Sequence, residues 1–378
     1  MTNTADQKIY VSTIIDTFNY GTVMQAVATR DVLEAYGHPV FIDYYRPQWT
    51  AEGHKDIYLN RSGSPLVNRL HYCITLPQWN RQKKMFRTFL EQELELCEAD
   101  PFMYGGDFAS DAVYCVGSDQ TWNYEDNGGL DPVYFLTNVP DQYKKIAFSA
   151  SFGRESLGDK ERLLTKRALA CFDAISVRES SSVAILESMG LSGTALKDPV
   201  LLCNPNLWSD LADGAPVSAD PYVLVYMLNE NPRMIDYARR VAELSGCKIR
   251  IVTFSAKQKF SMPKGFKREF QPAPERWLAL FRDASYVVTD SFHGTCFSLL
   301  FEHPMTVFDP PKFSVRLTDV LSDFGLQERR VHKGIDSEIL GIYERTIDWG
   351  YIRGLKVKYA REAHAFLDSC FRGDAEHE

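Results

Sequence analysis

Segments with the pattern of β-strands alternate with segments of helical periodicity along most of this chain of 378 residues. Near its start, the β-branched run at residues 8–15 precedes a turn, and residues 23–33 then repeat apolar side chains at helical spacing. A second strand is predicted at residues 39–44, which completes a β-α-β unit. Because strands that alternate with helices form parallel sheets covered by helices, the sequence predicts the α/β class.

The alternation continues to the end of the chain. It predicts further strands at residues 112–116, 145–149, 174–177, 194–197, 222–228, 248–254, 286–289 and 305–308. It predicts helices at residues 159–171, 180–189, 232–245, 275–282 and 294–301, and an amphipathic helix at residues 352–370. The pattern therefore indicates two Rossmann-like halves.

A stretch rich in Asn, Pro, Gly, Ala and Asp separates the two halves at residues 203–221, and we interpret it as a linker. We expect an N-terminal Rossmann-like domain at residues 1–203 and a C-terminal one at residues 204–350, facing each other across a cleft. The final helix, in residues 351–378, is expected to return to the first domain.

Residues 46–100 depart from the alternation and are interpreted as an insertion that contains one helix, at residues 81–97. Its aromatic residues Trp49, Tyr58 and Trp79 leave three alternatives open: a platform for an acceptor, a peripheral contact with a membrane surface, or packing against the first domain.

Composition excludes several classes of protein. The net charge is -8 and no dense run of Lys and Arg occurs, which argues against a nucleic-acid partner. No apolar stretch is long enough to cross a bilayer and the first residues are polar, so we expect a cytoplasmic protein, placed in the cytosol or at the inner face of the membrane. The eight cysteines are scattered without the spacing of a zinc site, and we expect reduced thiols and no metal.

Polar residues follow five of the predicted strands, where the carboxyl ends of parallel strands form ligand sites. The five loops contain Asn19 and Gly21, then Ser118, Asp119 and Gln120, then residues 149–153, then Arg178 and Glu179, and finally residues 290–295. The sequence therefore predicts one functional edge on each sheet.

The loop at residues 290–295 leads from a strand into a helix whose first amides, assigned to Gly294, Thr295 and Cys296, are expected to hold an anion. His293 is placed to bind the same anion and to move a proton. Asp290 has two alternative roles, since it could orient the imidazole of His293 or cap the helix.

Two arginines are candidate clamps for a carboxylate or a phosphate. Arg178 ends a strand, and Arg316 begins a helix after Pro310 and Pro311. The alternatives are an ion pair with Glu179 for Arg178 and solvent exposure for Arg316. Trp122 could stack on a sugar or belong to the core.

Taken together, these loops resemble the polysaccharide pyruvyl transferase family. The matching pieces, between about residue 9 and about residue 326, are Asn19-Tyr20-Gly21 with Gln25, residues 116–123, residues 176–179, Asp198-Pro199 and residues 289–295. Ser291 stands where some members carry an arginine, and Arg316 or Lys145 is expected to supply that charge.

The resemblance implies a fold similar to the GT-B glycosyltransferases and transfer of pyruvate from phosphoenolpyruvate to a sugar as a ketal, in exopolysaccharide or cell-envelope synthesis. It implies phosphoenolpyruvate as co-substrate, no further cofactor, and a sugar or lipid-linked glycan as acceptor. The implied catalytic residues are His293 and Arg178. The expected donor site comprises Arg178, Ser291, His293, Gly294, Thr295 and Arg316, and the expected acceptor site comprises Asn19, Gly21, Ser118, Asp119 and Gln120.

Two other functions remain open on the same scaffold. One is a glycosyltransferase that uses a nucleotide sugar, although the sequence contains no glycine-rich dinucleotide motif. The other is a protein that binds a sugar without catalysis, for which replacement of His293 would leave ligand binding intact. The number of subunits is not predicted.

Overall fold

A computed structural model describes residues 7–215, 220–254, 265–311, 315–331 and 341–372. The chain forms two compact units, Met1–Cys203 with Ala360–Glu378, and Asn204–Tyr359. Each unit contains one parallel sheet flanked by helices, which confirms the predicted α/β class. Among the described helices, none combines the length and the apolar character needed to cross a membrane.

The first unit has a seven-stranded sheet in the order β3-β2-β1-β4-β5-β6-β7. Its strands are β1 (Lys8–Ser12), β2 (His38–Asp43), β3 (Leu96–Glu98), β4 (Val113–Val116), β5 (Lys145–Ala150), β6 (Ala174–Val177) and β7 (Thr194–Ala195). Its helices are α1 (Tyr20–Leu33), α2 (Ala51–Leu59), α3 (Pro65–Glu93), α4 (Asp100–Tyr104), α5 (Tyr124–Asn127), α6 (Asp159–Leu169) and α7 (Ser180–Ser188).

The second unit has a six-stranded sheet in the order β10-β9-β8-β11-β12-β13. Its strands are β8 (Tyr222–Tyr226), β9 (Lys248–Thr253), β10 (Phe266–Phe270), β11 (Tyr286–Thr289), β12 (Met305–Phe308) and β13 (Arg330–Val331). Its helices are α8 (Leu207–Asp213), α9 (Pro232–Ser245), α10 (Pro274–Arg282), α11 (Phe292–Leu300) and α12 (Val315–Asp323), and α13 (Trp349–Arg372) runs through both units.

Local sequence signals explain where these elements begin and end. The strands β8, β11 and β12 are buried along their whole length, because helices cover both faces of a parallel sheet. Helix α9 begins after Asn231, whose side chain accepts a hydrogen bond from the amide of Arg233, and it ends at Gly246 with a left-handed φ of 66°. All the strands predicted from the alternation are confirmed in position, with ends that differ by a few residues.

The predicted helix at residues 81–97 was wrong at both ends. Helix α3 begins at Pro65 and continues through Pro77, and it ends at Glu93. Leu96–Glu98 instead forms β3, whose residues pair with Phe41, Ile42 and Asp43 of β2. The segment interpreted as an insertion therefore ends in a strand of the main sheet.

Other elements were not predicted. The stretch interpreted as a linker contains α8, whose Trp208 is 1% exposed and packs edge-on against Phe297. The edge strands β10 and β13 were missed because β10 is largely charged and β13 has only two residues.

The last helix, α13, is three residues longer at its start than the predicted residues 352–370 and two longer at its end. From Ala360 onward it belongs to the first unit, where Tyr36 donates a hydrogen bond to the carbonyl of His364 at 3.1 Å. Phe371 packs against the ring of Tyr36. The end of this helix therefore belongs to the same compact unit as α1 and the first sheet.

Both sheets reverse their strand order at one point, between β1 and β4 in the first unit and between β8 and β11 in the second. The connections leave in opposite directions there, so the loops at the carboxyl ends of these strands separate and open a crevice. The predicted loops after residues 116 and 289 both lie at such a point.

Candidate functional site

In the second unit, the reversal point lies next to the start of α11. The strand β11 ends at Thr289, and the helix begins at Phe292 with Ser291 as its N-cap. The hydroxyl of Ser291 accepts a hydrogen bond from the amide of Gly294 at 3.2 Å. A serine at this position is the ordinary way to begin a helix.

This cap engages two of the three amides that were expected to hold an anion. The amide of Gly294 donates to the Ser291 hydroxyl, and the amide of Thr295 donates to the Ser291 carbonyl at 2.9 Å. Ser291 therefore holds the amides of Gly294 and Thr295 in the first turn of α11, where the positive end of the helix dipole lies. The anion site expected at the amides of Gly294, Thr295 and Cys296 stays a prediction.

Gly294 is required by packing. A Cβ at this position would lie 2.4 Å from the hydroxyl oxygen of Thr289 and 3.0 Å from a ring carbon of Tyr226. Thr289 is itself fixed, since its hydroxyl donates to the carbonyl of Tyr226 at 2.7 Å. The glycine thus lets α11 begin directly against β8 and β11, which sets the position of His293.

His293 and Arg316 both lie close to the ring of Phe292. His293 is 6% exposed, and its ring centre is 5.0 Å from that of Phe292. The guanidinium carbon of Arg316 lies 5.9 Å from the centre of the Phe292 ring. Arg316 therefore places a permanent cation near the positive end of α11, an arrangement that favours a bound anion.

Asp290 has neither of the two roles considered for it. Its carboxylate accepts hydrogen bonds from the amides of Leu228 and Asn229 at 2.7 and 2.9 Å, and from the side-chain amide of Asn229 at 2.9 Å. Burial raises the pKa of Asp290 despite these hydrogen bonds. Asp290 holds the loop after β8 in place at the reversal point.

In the first unit, Arg178 is surrounded by carboxylates at the carboxyl end of β6. Its guanidinium donates to Asp198 at 2.7 Å and to Glu179 at 3.1 Å, and it lies 4.0 Å from Asp119. The Arg178 side chain is 3% exposed. The ion pair between Arg178 and Glu179, given above as the alternative to an anion clamp, is therefore present. Asp198 and Asp119 are two further carboxylates around the same guanidinium.

The charges of this cluster stabilise one another. Burial alone would lower the pKa of Arg178, but the attraction of Glu179, Asp198 and Asp119 outweighs burial and raises it. Asp119 has a φ of 73°, a left-handed conformation that few residues other than glycine adopt. Such strain commonly marks a functional position, because the surrounding structure must hold it.

The residues predicted for the acceptor lie around this cluster. Asn19 is exposed and caps α1 through the amide of Gly21 at 3.0 Å. Asp119 reaches the same helix, since it accepts a hydrogen bond from the hydroxyl of Thr22 at 2.8 Å. The hydroxyl of Ser118 contacts Asp198 at 3.4 Å, and the side-chain oxygen of Gln120 accepts from Asn123 at 2.6 Å. The structure thus brings together Ser118, Asp119, Gln120 and the start of α1.

Sequence reasoning assigned no role to several charged residues of this edge. Asp198 follows β7, and Asp16 and Arg46 follow β1 and β2. The guanidinium of Arg46 donates two hydrogen bonds to Asp16, each at 2.8 Å, and that pair is almost fully buried. The sequence could have indicated these residues as site candidates, since each of them lies just beyond a strand of the sheet.

Two further candidates lie elsewhere. Lys145 begins β5, at the amino end of the sheet, and its ammonium group contacts Asp141 at 3.0 Å. It cannot reach a ligand at the opposite edge, so the suggestion that Lys145 supplies a donor-binding charge was wrong. Trp122 is fully buried and donates to the carbonyl of Tyr134 at 3.0 Å, which places it in the core.

The aromatic residues of the helical segment also pack internally. Trp79 is 9% exposed and stacks on His54, with ring centres 4.5 Å apart. Phe18, in the loop after β1, contacts both Trp49 and Trp79. The packing alternative therefore holds for Trp79.

The fold and the two polar edges define a class of protein with two doubly wound α/β units. A solved structure of a putative UDP-N-acetylglucosamine 2-epimerase from Listeria monocytogenes is similar, with a TM-score of 0.55 and 9% identity over 99% of each chain. UDP-GlcNAc 2-epimerase from Methanocaldococcus jannaschii gives a TM-score of 0.52 and 12% identity, over 96% of this chain and 99% of the other. At these identities the likeness concerns the fold alone, which is that of GT-B enzymes.

The sequence itself identifies the family. The sequence model of the polysaccharide pyruvyl transferase family matches residues 19–311, which is most of the chain and includes Arg178 and His293. The chain belongs to the polysaccharide pyruvyl transferase family, and the resemblance described above is confirmed. No curated protein matches it.

Proposed function

We propose that this protein transfers pyruvate from phosphoenolpyruvate to two hydroxyls of a sugar, forming a ketal. The observation that carries the proposal is that His293 and Arg316 both lie close to the ring of Phe292 at the start of α11. Phosphoenolpyruvate has a phosphate and a carboxylate, which suit a permanent cation and the amides of a helix N-terminus. Membership of a transferase family supports the same chemistry.

The reaction needs a proton donor near the enol. One sugar hydroxyl attacks the central carbon of the donor while a proton is added to the methylene, which becomes a methyl group. The bond between the central carbon and the phosphate oxygen then breaks, phosphate leaves, and a second hydroxyl of the sugar closes the ketal. One of the two hydroxyl protons replaces the proton given to the methylene, and the other leaves with the phosphate. A histidine beside an anion has its charged form favoured and can deliver a proton near neutral pH, so we assign the first proton transfer to His293.

We assign the acceptor to the edge of the first unit. Three carboxylates surround the single guanidinium of Arg178 there, which disfavours a donor that carries several negative charges. Carboxylates accept hydrogen bonds from hydroxyl groups and so suit a sugar. In this scheme Arg178 fixes the positions of Asp119 and Asp198, a role distinct from the donor contact that the family resemblance implies.

The test is turnover with a panel of sugar and lipid-linked glycan acceptors, followed as phosphate release and as a new ketal methyl signal in the NMR spectrum. We expect both signals with phosphoenolpyruvate, and a loss of about 10²–10⁴-fold in His293→Ala, the usual range for general acid catalysis. The matched control is His303→Ala, since His303 instead contacts the carbonyl of Arg282, at 2.7 Å.

Two outcomes would contradict the proposal. Transfer of a sugar from a nucleotide sugar, with no reaction of phosphoenolpyruvate, would indicate a glycosyltransferase. Unchanged ketal formation in His293→Ala would show that His293 is not the proton donor, even if phosphoenolpyruvate is the substrate that supplies the pyruvate.

A further inference from the structure

The outer face of α3 exposes an unusual amount of apolar surface. Leu66, Val67, Leu70 and Ile74 are 80%, 60%, 62% and 59% exposed, and they are four of the eleven exposed large hydrophobic side chains of the described residues. Their spacing of three and four residues places them on one side of the helix. Exposed apolar side chains are usually scattered singly over a protein surface, whereas a cluster of them usually marks an interaction site.

Basic residues continue the same face. Arg69, Arg81 and Lys84 are all exposed, at positions that keep the helical spacing. Residues 57–90 contain no Asp or Glu, although the whole chain has a net charge of -8. We call Leu66, Val67, Arg69, Leu70, Ile74, Arg81 and Lys84 the α3 outer face.

We propose that the α3 outer face docks on a bilayer that contains anionic phospholipids. An apolar stripe bordered by Lys and Arg is the pattern of a helix that lies in a membrane interface, with its apolar side chains among the acyl chains. The basic side chains would meet the lipid phosphates, and this attraction is local because the rest of the chain is acidic.

A second copy of the chain suits this face less well. A two-fold dimer would place the same patch on both sides of the contact, so Arg69, Arg81 and Lys84 would oppose their own counterparts. The absence of acidic residues from residues 57–90 leaves that segment nothing with which to neutralise them. Charge complementarity therefore favours the anionic bilayer.

The inner side of the same helix is anchored to the first unit. Phe86 packs against Tyr20 at the start of α1, with ring centres 5.1 Å apart, and Trp79 contacts Phe18 in the loop after β1. Helix α3 is thus held through its buried aromatics while its outer face stays exposed. The proposal does not depend on the proposed function, because lipid binding needs neither donor nor acceptor.

The test is co-flotation of the full chain with vesicles of phosphatidylcholine alone and of phosphatidylcholine mixed with phosphatidylglycerol. We expect binding to the mixed vesicles at low salt, little binding to phosphatidylcholine, and release as NaCl is raised. Leu66→Ser combined with Leu70→Ser should lower binding by about tenfold, because burial of each leucine in the acyl region is lost.

The matched control is Leu163→Ser combined with Leu244→Ser, which removes two leucines that are 51% and 53% exposed on other helices. We expect that variant to bind as the unchanged protein does, and all variants to keep the same melting temperature. Absence of flotation at low salt, or an equal loss in the control variant, would overturn the proposal. A dimer that Leu66→Ser with Leu70→Ser dissociates, without lipid binding, would show that a second copy covers this face and would also overturn it.

Discussion

At the residue scale, Arg178 lies where the sequence predicted, but its surroundings give it a different role. The position of Arg178 at a strand end follows from the sequence, since the strand Ala174–Val177 has the predicted bounds. Its surroundings follow only in part, because Glu179 is adjacent in sequence and was the predicted alternative partner. Asp119 and Asp198 come from two other segments that only the folded sheet brings to Arg178. Of the two alternatives given for Arg178, a clamp on an anion and an ion pair with Glu179, the structure shows the ion pair, extended to three carboxylates.

This enclosure predicts a large effect on stability. Arg178→Met would leave three buried carboxylates without their countercharge, and removal of one partner from a buried ion pair costs about 3–5 kcal/mol. We expect the free energy of unfolding, measured with urea, to fall by that amount. Arg240→Met is the control, because Arg240 is 57% exposed and surface substitutions change stability by about 0.5 kcal/mol or less. A loss below about 1 kcal/mol in Arg178→Met would contradict the buried cluster.

At the element scale, the most informative element is α11. The strand, loop and helix were all predicted from residues 286–301, but His293 was assigned to the loop and lies in the first turn of the helix. The helix starts two residues earlier than predicted, at Phe292 and not at Gly294, because the side chain of Ser291 caps it through the amide of Gly294. Helix boundaries are set by such single hydrogen bonds, which hydrophobic periodicity does not report.

The close packing of α11 on the sheet gives a second prediction. Gly294→Ala would place a methyl group 2.4 Å from the Thr289 hydroxyl, so the start of the helix must shift and carry His293 with it. We expect a loss of stability of about 1–3 kcal/mol, as for overpacked cores, together with reduced turnover.

Gly354→Ala in α13 is the matched control for this substitution. A Cβ at residue 354 would meet nothing within 4 Å. Replacing a glycine by alanine inside a helix should raise stability by about 0.5–1 kcal/mol. If both substitutions change the melting temperature in the same direction, the packing explanation for Gly294 is wrong.

At the scale of the whole molecule, the alternation of strands and helices was sufficient to predict two parallel sheets. It did not predict the edge strands β3, β10 and β13, since short or charged edge strands lack the apolar run of a central strand. It also did not predict that α3 continues through Pro77, a residue that usually breaks a helix. The local signals were weakest where tertiary contacts decide the structure.

The central claim is that the second unit binds phosphoenolpyruvate at the start of α11, and calorimetric titration tests it most directly. We expect phosphoenolpyruvate to bind the unchanged protein and Arg240→Ala equally, and to bind Arg316→Ala about tenfold or more weakly, since a hydrogen bond to a charged group contributes about 1.5–3 kcal/mol. UDP-sugars, named for the epimerases of similar fold, serve as competitors. Binding of a UDP-sugar without phosphoenolpyruvate, or equal affinity for phosphoenolpyruvate in Arg316→Ala, would contradict the claim.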